Sequence, residues 1–388
     1  MKRAIIGLVF AVIAVAAWLA VRPNRDAVLR PSGNPAPTPP SPNDGLAKSG
    51  DAEPTFQAGT RVAGISAEDL ESVRRLIGEG SDPQRVKALL GQLSEKLAAI
   101  SPEKAAGLLR DALSSRLDAV TKLPFAIGDG GNLATAPTFR VWLLDQLGRT
   151  DPQAAADYAK QILATRESAD EWAVALRDFA RVRGAAGDVA FLNGKMRELL
   201  GDPRWQAEQS AGWLEAFDVA VHAKAVELTP DLARLLMRTG KQDKAAAHAA
   251  FLTLDRLVQA APADMLTRVQ AEPGLMKGRE LTRANYFARA DVRDARQREI
   301  VERYILDPAR SAEELAKFAG LYPNANMMIS KNLLTPTVTP SREDIILRDR
   351  EALRVAREWA ADPRFAPLQA HVQAIQTRLR QFVGESEK

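Results

Sequence analysis

The sequence predicts an all-α protein: an irregular α-solenoid of stacked helical hairpins, preceded by a single N-terminal transmembrane helix and a disordered proline-rich linker. Three observations predict it. Past Gly64 the apolar residues recur at i, i+3, i+4 and i+7, and no run alternates as a strand would. Through the same region Asp, Ser or Thr repeatedly stands directly before proline, the signature of a capped helix start. Ahead of it, residues 1–64 divide into a basic start, an apolar run and a stretch dense in proline.

Residues 1–3, Met1-Lys2-Arg3, form the basic start, which the charge pattern places in the cytoplasm. Residues 4–21 are apolar throughout, and 18 residues in a helix reach roughly 27 Å, close to a bilayer's hydrocarbon thickness. A cleaved signal peptide is the competing reading, with Ala14-Val15-Ala16 as its small-residue site. The run continues past that site to Val21, and Trp18 suits an interface better than a cleavage motif, so an uncleaved anchor is the reading adopted. Residues 22–64 carry Pro31, Pro35, Pro37, Pro39, Pro40, Pro42 and Pro54, which remove amide donors and fix φ, so this segment reads as an extended spacer. The expected placement is single-pass in the inner membrane of a bacterium with the C-terminal part in the periplasm; the alternative is secretion after signal cleavage. The absence of cysteine accords with an oxidising compartment.

Residues 65–388 are expected to be helical. Helix starts are read at Ser66 (with Asp69 completing a capping box), Asp82-Pro83, Ser101-Pro102, Asp151-Pro152, Asp202-Pro203, Thr229-Pro230, Asp307-Pro308 and Asp362-Pro363. Apolar stripes follow: Ala105, Leu109, Ala112, Leu113, Leu117 and Val120, then Ala155, Tyr158, Ala159 and Ile162. Trp172, Leu176, Phe179 and Ala180 continue the pattern, then Leu192, Met196, Leu199 and Leu200, and a last seam runs from Leu368 through Val372, Ile375 and Leu379 to Phe382. Two stretches break the rhythm and are where a division of the domain is expected: 124–137, with Gly128-Asp129-Gly130-Gly131, and 324–340, which is apolar yet rich in Asn and Thr-Pro.

Residues 151–184 read as one helix pair, Pro152–Leu163 and Ala169–Arg183. In length and small-residue content that unit resembles a tetratricopeptide-like hairpin, which implies stacking of pairs into an array. The layout of the whole chain, anchor then proline-rich spacer then helical domain, resembles the membrane-anchored lipase foldases, which implies a folding or secretion chaperone. Their Arg-x-x-Phe-Asp-Tyr motif is absent, since Phe217-Asp218-Val219 lacks the tyrosine.

Chemistry is sparse. Without cysteine, thiol nucleophiles and thiolate metal sites are excluded. His222, His248 and His371 are scattered, and no nucleophile elbow, Walker loop or dinucleotide fingerprint occurs. Ser330-Lys331-Asn332 lacks the motifs that surround a Ser/Lys hydrolase centre. No catalytic, cofactor or metal residues are assigned. A net charge of +4 with interspersed signs argues against nucleic acid, and the arginine-dense stretch Arg279–Arg303 reads as a solvated face of ion pairs. The residues expected to meet a partner are Trp205 and Trp213, eight apart and read as sharing one helix, and Met327, Met328 and Ile329 in the second break. The function expected is a membrane-tethered scaffold or adaptor that binds a protein partner in the cell envelope, touching the bilayer through residues 4–21. The chaperone is one alternative, and an envelope enzyme with an unrecognised site is the other.

Overall fold

Helix caps set where most of the elements begin. In the computed structural model, which describes residues 65–80, 82–183 and 188–384, the chain is mostly helical, as expected for an all-α protein. The anchor at 4–21 and the linker at 22–64 lie outside the described residues. Among the described residues no helix is long and apolar enough to cross a membrane.

Helix α1 (Ala67–Gly78) opens on the expected reciprocal box: Asp69 N donates to Ser66 Oγ at 3.3 Å while Ser66 N donates to Asp69 Oδ2 at 2.8 Å. Helices α2 (Pro83–Ala98) and α3 (Pro102–Ser114) start behind Asp82 and Ser101, whose side chains accept first-turn amides. Helix α3 stops at Ser114. The stripe therefore does not run on to Val120, which is 67% exposed and bridges Thr138 in an extended segment.

The first break contains a small hairpin that the periodicity did not reveal. Strand β1 (Ala126–Ile127) pairs antiparallel with β2 (Leu133–Thr135). Gly130 and Gly131 turn the chain between them with φ of 63° and 74°, a region that glycine enters without steric cost. Strands this short do not hold alone; side chains of the next helices hold them, as described below.

Helix α4 (Phe139–Thr150), capped by Thr138, leads into α5 (Pro152–Ile162) and α6 (Ala169–Arg183), which pack together as a helical hairpin within a residue of the expected bounds. Every residue of the two stripes on this hairpin is buried. Helix α7 (Val189–Gly201) is followed by three short helices, α8 (Pro203–Ala207), α9 (Ala211–Glu215) and α10 (Asp218–His222), then α11 (Thr229–Leu236) and α12 (Lys244–Ala260). The remainder comprises α13 (Pro262–Ala271), α14 (Glu280–Ala288), α15 (Ala295–Ile305), α16 (Ala312–Leu321), α17 (Arg342–Ala361) and α18 (Gln369–Val383). Packing runs mainly between near neighbours in the chain: α11 on α12, α14 on α16, α17 on α18. A ladder of rings stitches the last helices together, from Phe287 and Tyr304, stacked at 3.9 Å, through Phe318, Tyr322 and Trp359 to Phe365.

Two expected starts fall differently. Thr229 does not cap, because its hydroxyl donates to Val226 O and the helix already includes it. Asp307-Pro308 forms a turn, with Asp307 taken by Ala309 N and Arg310, and Ser311 caps α16 four residues later. Trp205 and Trp213 require a larger correction. They stand on separate short helices, α8 and α9, and both are buried. Trp205 meets Trp172 edge-on at 5.0 Å, and Trp213 Nε1 donates to Leu199 O at 2.9 Å. They are core residues and offer no shared surface, since fully enclosing a large ring returns more than leaving it in water.

Candidate functional site

The two breaks in the helical rhythm pack against each other. Leu333 of the second is buried, and its carbonyl oxygen lies so close to Gly131 of the first that a Cβ there would sit 2.0 Å away. Lys331 Nζ reaches Asp129 Oδ1 at 2.9 Å. The first is held by charged side chains of the helices beneath it. Asp145 on α4 accepts from Leu133 N (2.9 Å) and from Arg177 Nη1 (2.5 Å), and Arg177, on α6, also donates to Gly131 O (3.1 Å). Arg181, one turn on, holds Gly130 O and Asn132 Oδ1. Arg177 is fully buried. Burial opposes its charge, but Asp178 and Asp145 outweigh that and keep its pKa above the ordinary arginine value.

The second break is thus a strap pinned along its length. At its start Asn324 N donates to Ala288 O (2.7 Å), and Arg289 Nη1 donates to Asn326 O (2.6 Å). At its return the Asp218 carboxylate, at the head of α10, accepts from Leu334 N (2.7 Å) and Thr335 N (2.9 Å) through Oδ2 and pairs with Arg256 of α12 through Oδ1 (2.7 Å). Beside that knot stands Glu215, whose pKa is pushed up to about 7, first by burial and then by the Asp218 charge, against the pull of Arg256. The tip between the pins stays out: Met328 is 49% and Ile329 80% exposed.

Between the strap and helices α12, α14 and α17 lies a half-enclosed cleft of about 620 Å³. Met327, Met328 and Val338 supply apolar wall from the strap, and Arg256, Arg289 and Arg348 line it from the helices. The carboxylates around it are already engaged. Asp255 takes Arg289 on two oxygens (2.9 and 3.0 Å), Asp218 takes Arg256, and Arg293 takes both Asp291 and Asp344. Burial works against the charge on Asp291, but Arg293 prevails and holds its carboxyl below the usual range. Arg348 differs: it forms no ion pair among the described residues. One of its terminal nitrogens donates to Arg289 O and Ala290 O, and its buried Nε has no acceptor. Burial pulls its pKa down from the ordinary arginine value, and Asp291 offsets this only in part. Thr335 Oγ1, also on the cleft wall, is likewise buried without a partner.

Of the residues read as partner-facing, Met327 and Met328 line the cleft and Ile329 crowns the strap beside them; the tryptophans lie elsewhere in the core. Arg348 and Asp218 carried no signal of this role in the sequence, whereas Thr335 lay within the flagged second break. Arg289 did lie within a flagged stretch, but the solvated reading fails for it and for Arg283. Arg283 is buried against Glu314, with two contacts of 2.7 Å, and Arg289 is largely withdrawn from solvent against Asp255. Arg303 and Glu299, four apart, do make the expected exposed pair. Among the described residues no three His, Asp or Glu side chains stand close enough to hold a metal ion. No protein-family model matches the chain, and neither the curated proteins nor the solved structures contain a match to it.

Proposed function

We propose that this chain is a membrane-tethered helical scaffold of the bacterial cell envelope, an irregular solenoid of stacked hairpins that holds an extended segment of a protein partner in the cleft under the strap at 324–340. One observation carries the reading. An apolar tip, Met328-Ile329, stands in solvent on a strap whose two ends are fixed by at least five hydrogen bonds. Exposed apolar side chains on a loose loop need no partner. On a pinned strap beside a ready cleft they are held where a partner reaches them, and little ordering entropy remains to be lost on binding. Scaffolds of packed hairpins commonly present extended binding surfaces, and a proline-rich tether would let such a surface sample partners near the bilayer.

The test is site-specific photocrosslinking of the full chain in intact membranes, with the crosslinker at Ile329, at Val338, or at the exposed Val120 and Leu281, which do not line the cleft. The same protein adduct from 329 and 338, absent from 120 and 281, is expected. Adducts of equal pattern at all four positions, or none at 329 and 338, would overturn the reading.

A further inference from the structure

The cleft has one cation too many for its own carboxylates. The two acidic side chains that line it, Asp291 and Asp344, are claimed by Arg293, and of its lining arginines Arg289 is taken by Asp255 and Arg256 by Asp218. Arg348 is left with backbone carbonyls alone and with an Nε that is buried and unserved. A half-buried guanidinium without a carboxylate loses hydration that no ion pair returns, and a buried donor without an acceptor adds to that cost. Across the strap, Thr335 Oγ1 is a second buried polar atom without a partner. Both residues line the same cleft, beside Met327, Met328 and Val338.

We infer that the cleft takes an extended peptide segment that carries one carboxylate side chain, Asp or Glu, between apolar neighbours, with the carboxylate at Arg348 and Thr335. The inference deepens the scaffold reading and rests on it. Charge complementarity selects the anion: a guanidinium without an ion pair attracts a carboxylate at the terminal nitrogen that the two backbone carbonyls do not occupy, and the surrounding matched pairs repel neither sign strongly. The unsheathed thioethers and Val338 accept aliphatic side chains on either side, methionine being adaptable in shape. A peptide accords with the scaffold reading and brings backbone groups as well as a carboxylate to a wall where Thr335 Oγ1 is without a partner, whereas Thr337 Oγ1 already donates to Ser330 O (3.2 Å). The cleft is half-enclosed, so a segment reaches it from solvent.

The experiment uses the full chain in detergent micelles and two libraries of acetylated, amidated pentapeptides, apolar at the flanking positions, with Glu or Gln at the centre. Binding is read by fluorescence anisotropy. The Glu set is expected to bind at least tenfold more tightly than the Gln set. Arg348→Gln should abolish the difference, Arg348→Lys should restore it only in part, and Thr335→Val should reduce it severalfold. The midpoint of thermal unfolding, followed by circular dichroism, identifies any variant that has lost its fold, and Thr335→Val with Arg348→Lys then carries the comparison. Equal binding of Glu and Gln sets, no binding of either, binding only of peptides with a free C-terminal carboxylate, or binding only of decanoate would each overturn the inference. The scaffold reading fails separately. If crosslinking from Ile329 yields its adduct in membranes and Arg348→Gln leaves that adduct unchanged, the scaffold stands and the carboxylate assignment falls.

Discussion

Single residues decide how the strap is held. Asp218 serves three groups at once, two strap amides and Arg256, and Glu215 stands next to it as a second carboxylate in half-buried surroundings. Burial opposes the Glu215 charge most, and the neighbouring Asp218 carboxylate adds to it, so Glu215 gives up its proton only toward neutral pH. Glu215 therefore holds a proton more tightly in the folded chain than in the unfolded one. The stabilisation linked to that proton is complete below the ordinary glutamate range, is lost as pH rises toward about 7, and is gone above it. Glu215→Gln imitates the protonated state. Urea unfolding should show the variant and the parent equal near the acid end and the variant more stable at pH 8, by about 3 kcal/mol at most given ~1.4 kcal/mol per pK unit. A difference that does not change with pH would refute this account. Arg177 makes the complementary case, a cation that two carboxylates keep charged in the interior.

At the level of elements, the hairpin β1–β2 is a guest among helices, and it survives because α4 and α6 supply hydrogen bonds that its two short strands cannot make for themselves. Gly131 is where hairpin and strap meet. A side chain there is strained at φ of 74° and would also collide with Leu333 O. Gly131→Ala should cost about 2 kcal/mol or more, from the left-handed backbone and the displaced carbonyl together. Limited proteolysis should then cut within Met327–Lys331 at a protease concentration that leaves the parent chain whole. An unchanged unfolding midpoint together with an unchanged cleavage pattern would show that the hairpin does not brace the strap. The helices themselves are less delicate: α5 and α6 bury complete apolar stripes, and the ring ladder from Phe287 to Phe365 ties four consecutive helices to a shared interior.

For the molecule as a whole, the described residues from Ile65 onward group as one compact unit, with both breaks inside it. The topology proposed for the full chain, an anchor at 4–21 and a periplasmic C-terminal part, leads to a direct test. Full-length chain should stay in the membrane pellet after alkaline carbonate extraction, and alkaline phosphatase fused at its C-terminus should be active. Release of uncleaved chain into the supernatant, or activity only of a cytoplasmic reporter, would overturn that topology.

The all-α class and most of its punctuation were legible from residues alone, because a cap is a local device: Ser66, Asp82, Ser101, Asp151 and Asp202 each serve amides within three residues of themselves. The same locality misleads at Asp307, where an identical dipeptide makes a turn. Half of the candidate surface was also visible, since Met327, Met328 and Ile329 are apolar in a segment that cannot be helical. What only tertiary structure decided is which side chains lie inside. A stripe that marks a buried face cannot say whether neighbouring helices or a partner bury it, and so Trp205 and Trp213 went to the core. Asp145 finds Arg177, Asp218 finds Arg256 and Arg283 finds Glu314 across 31 to 38 positions. Pairing at that range depends on where whole helices come to rest, so the unmatched guanidinium of Arg348 becomes visible only after the others have found their partners.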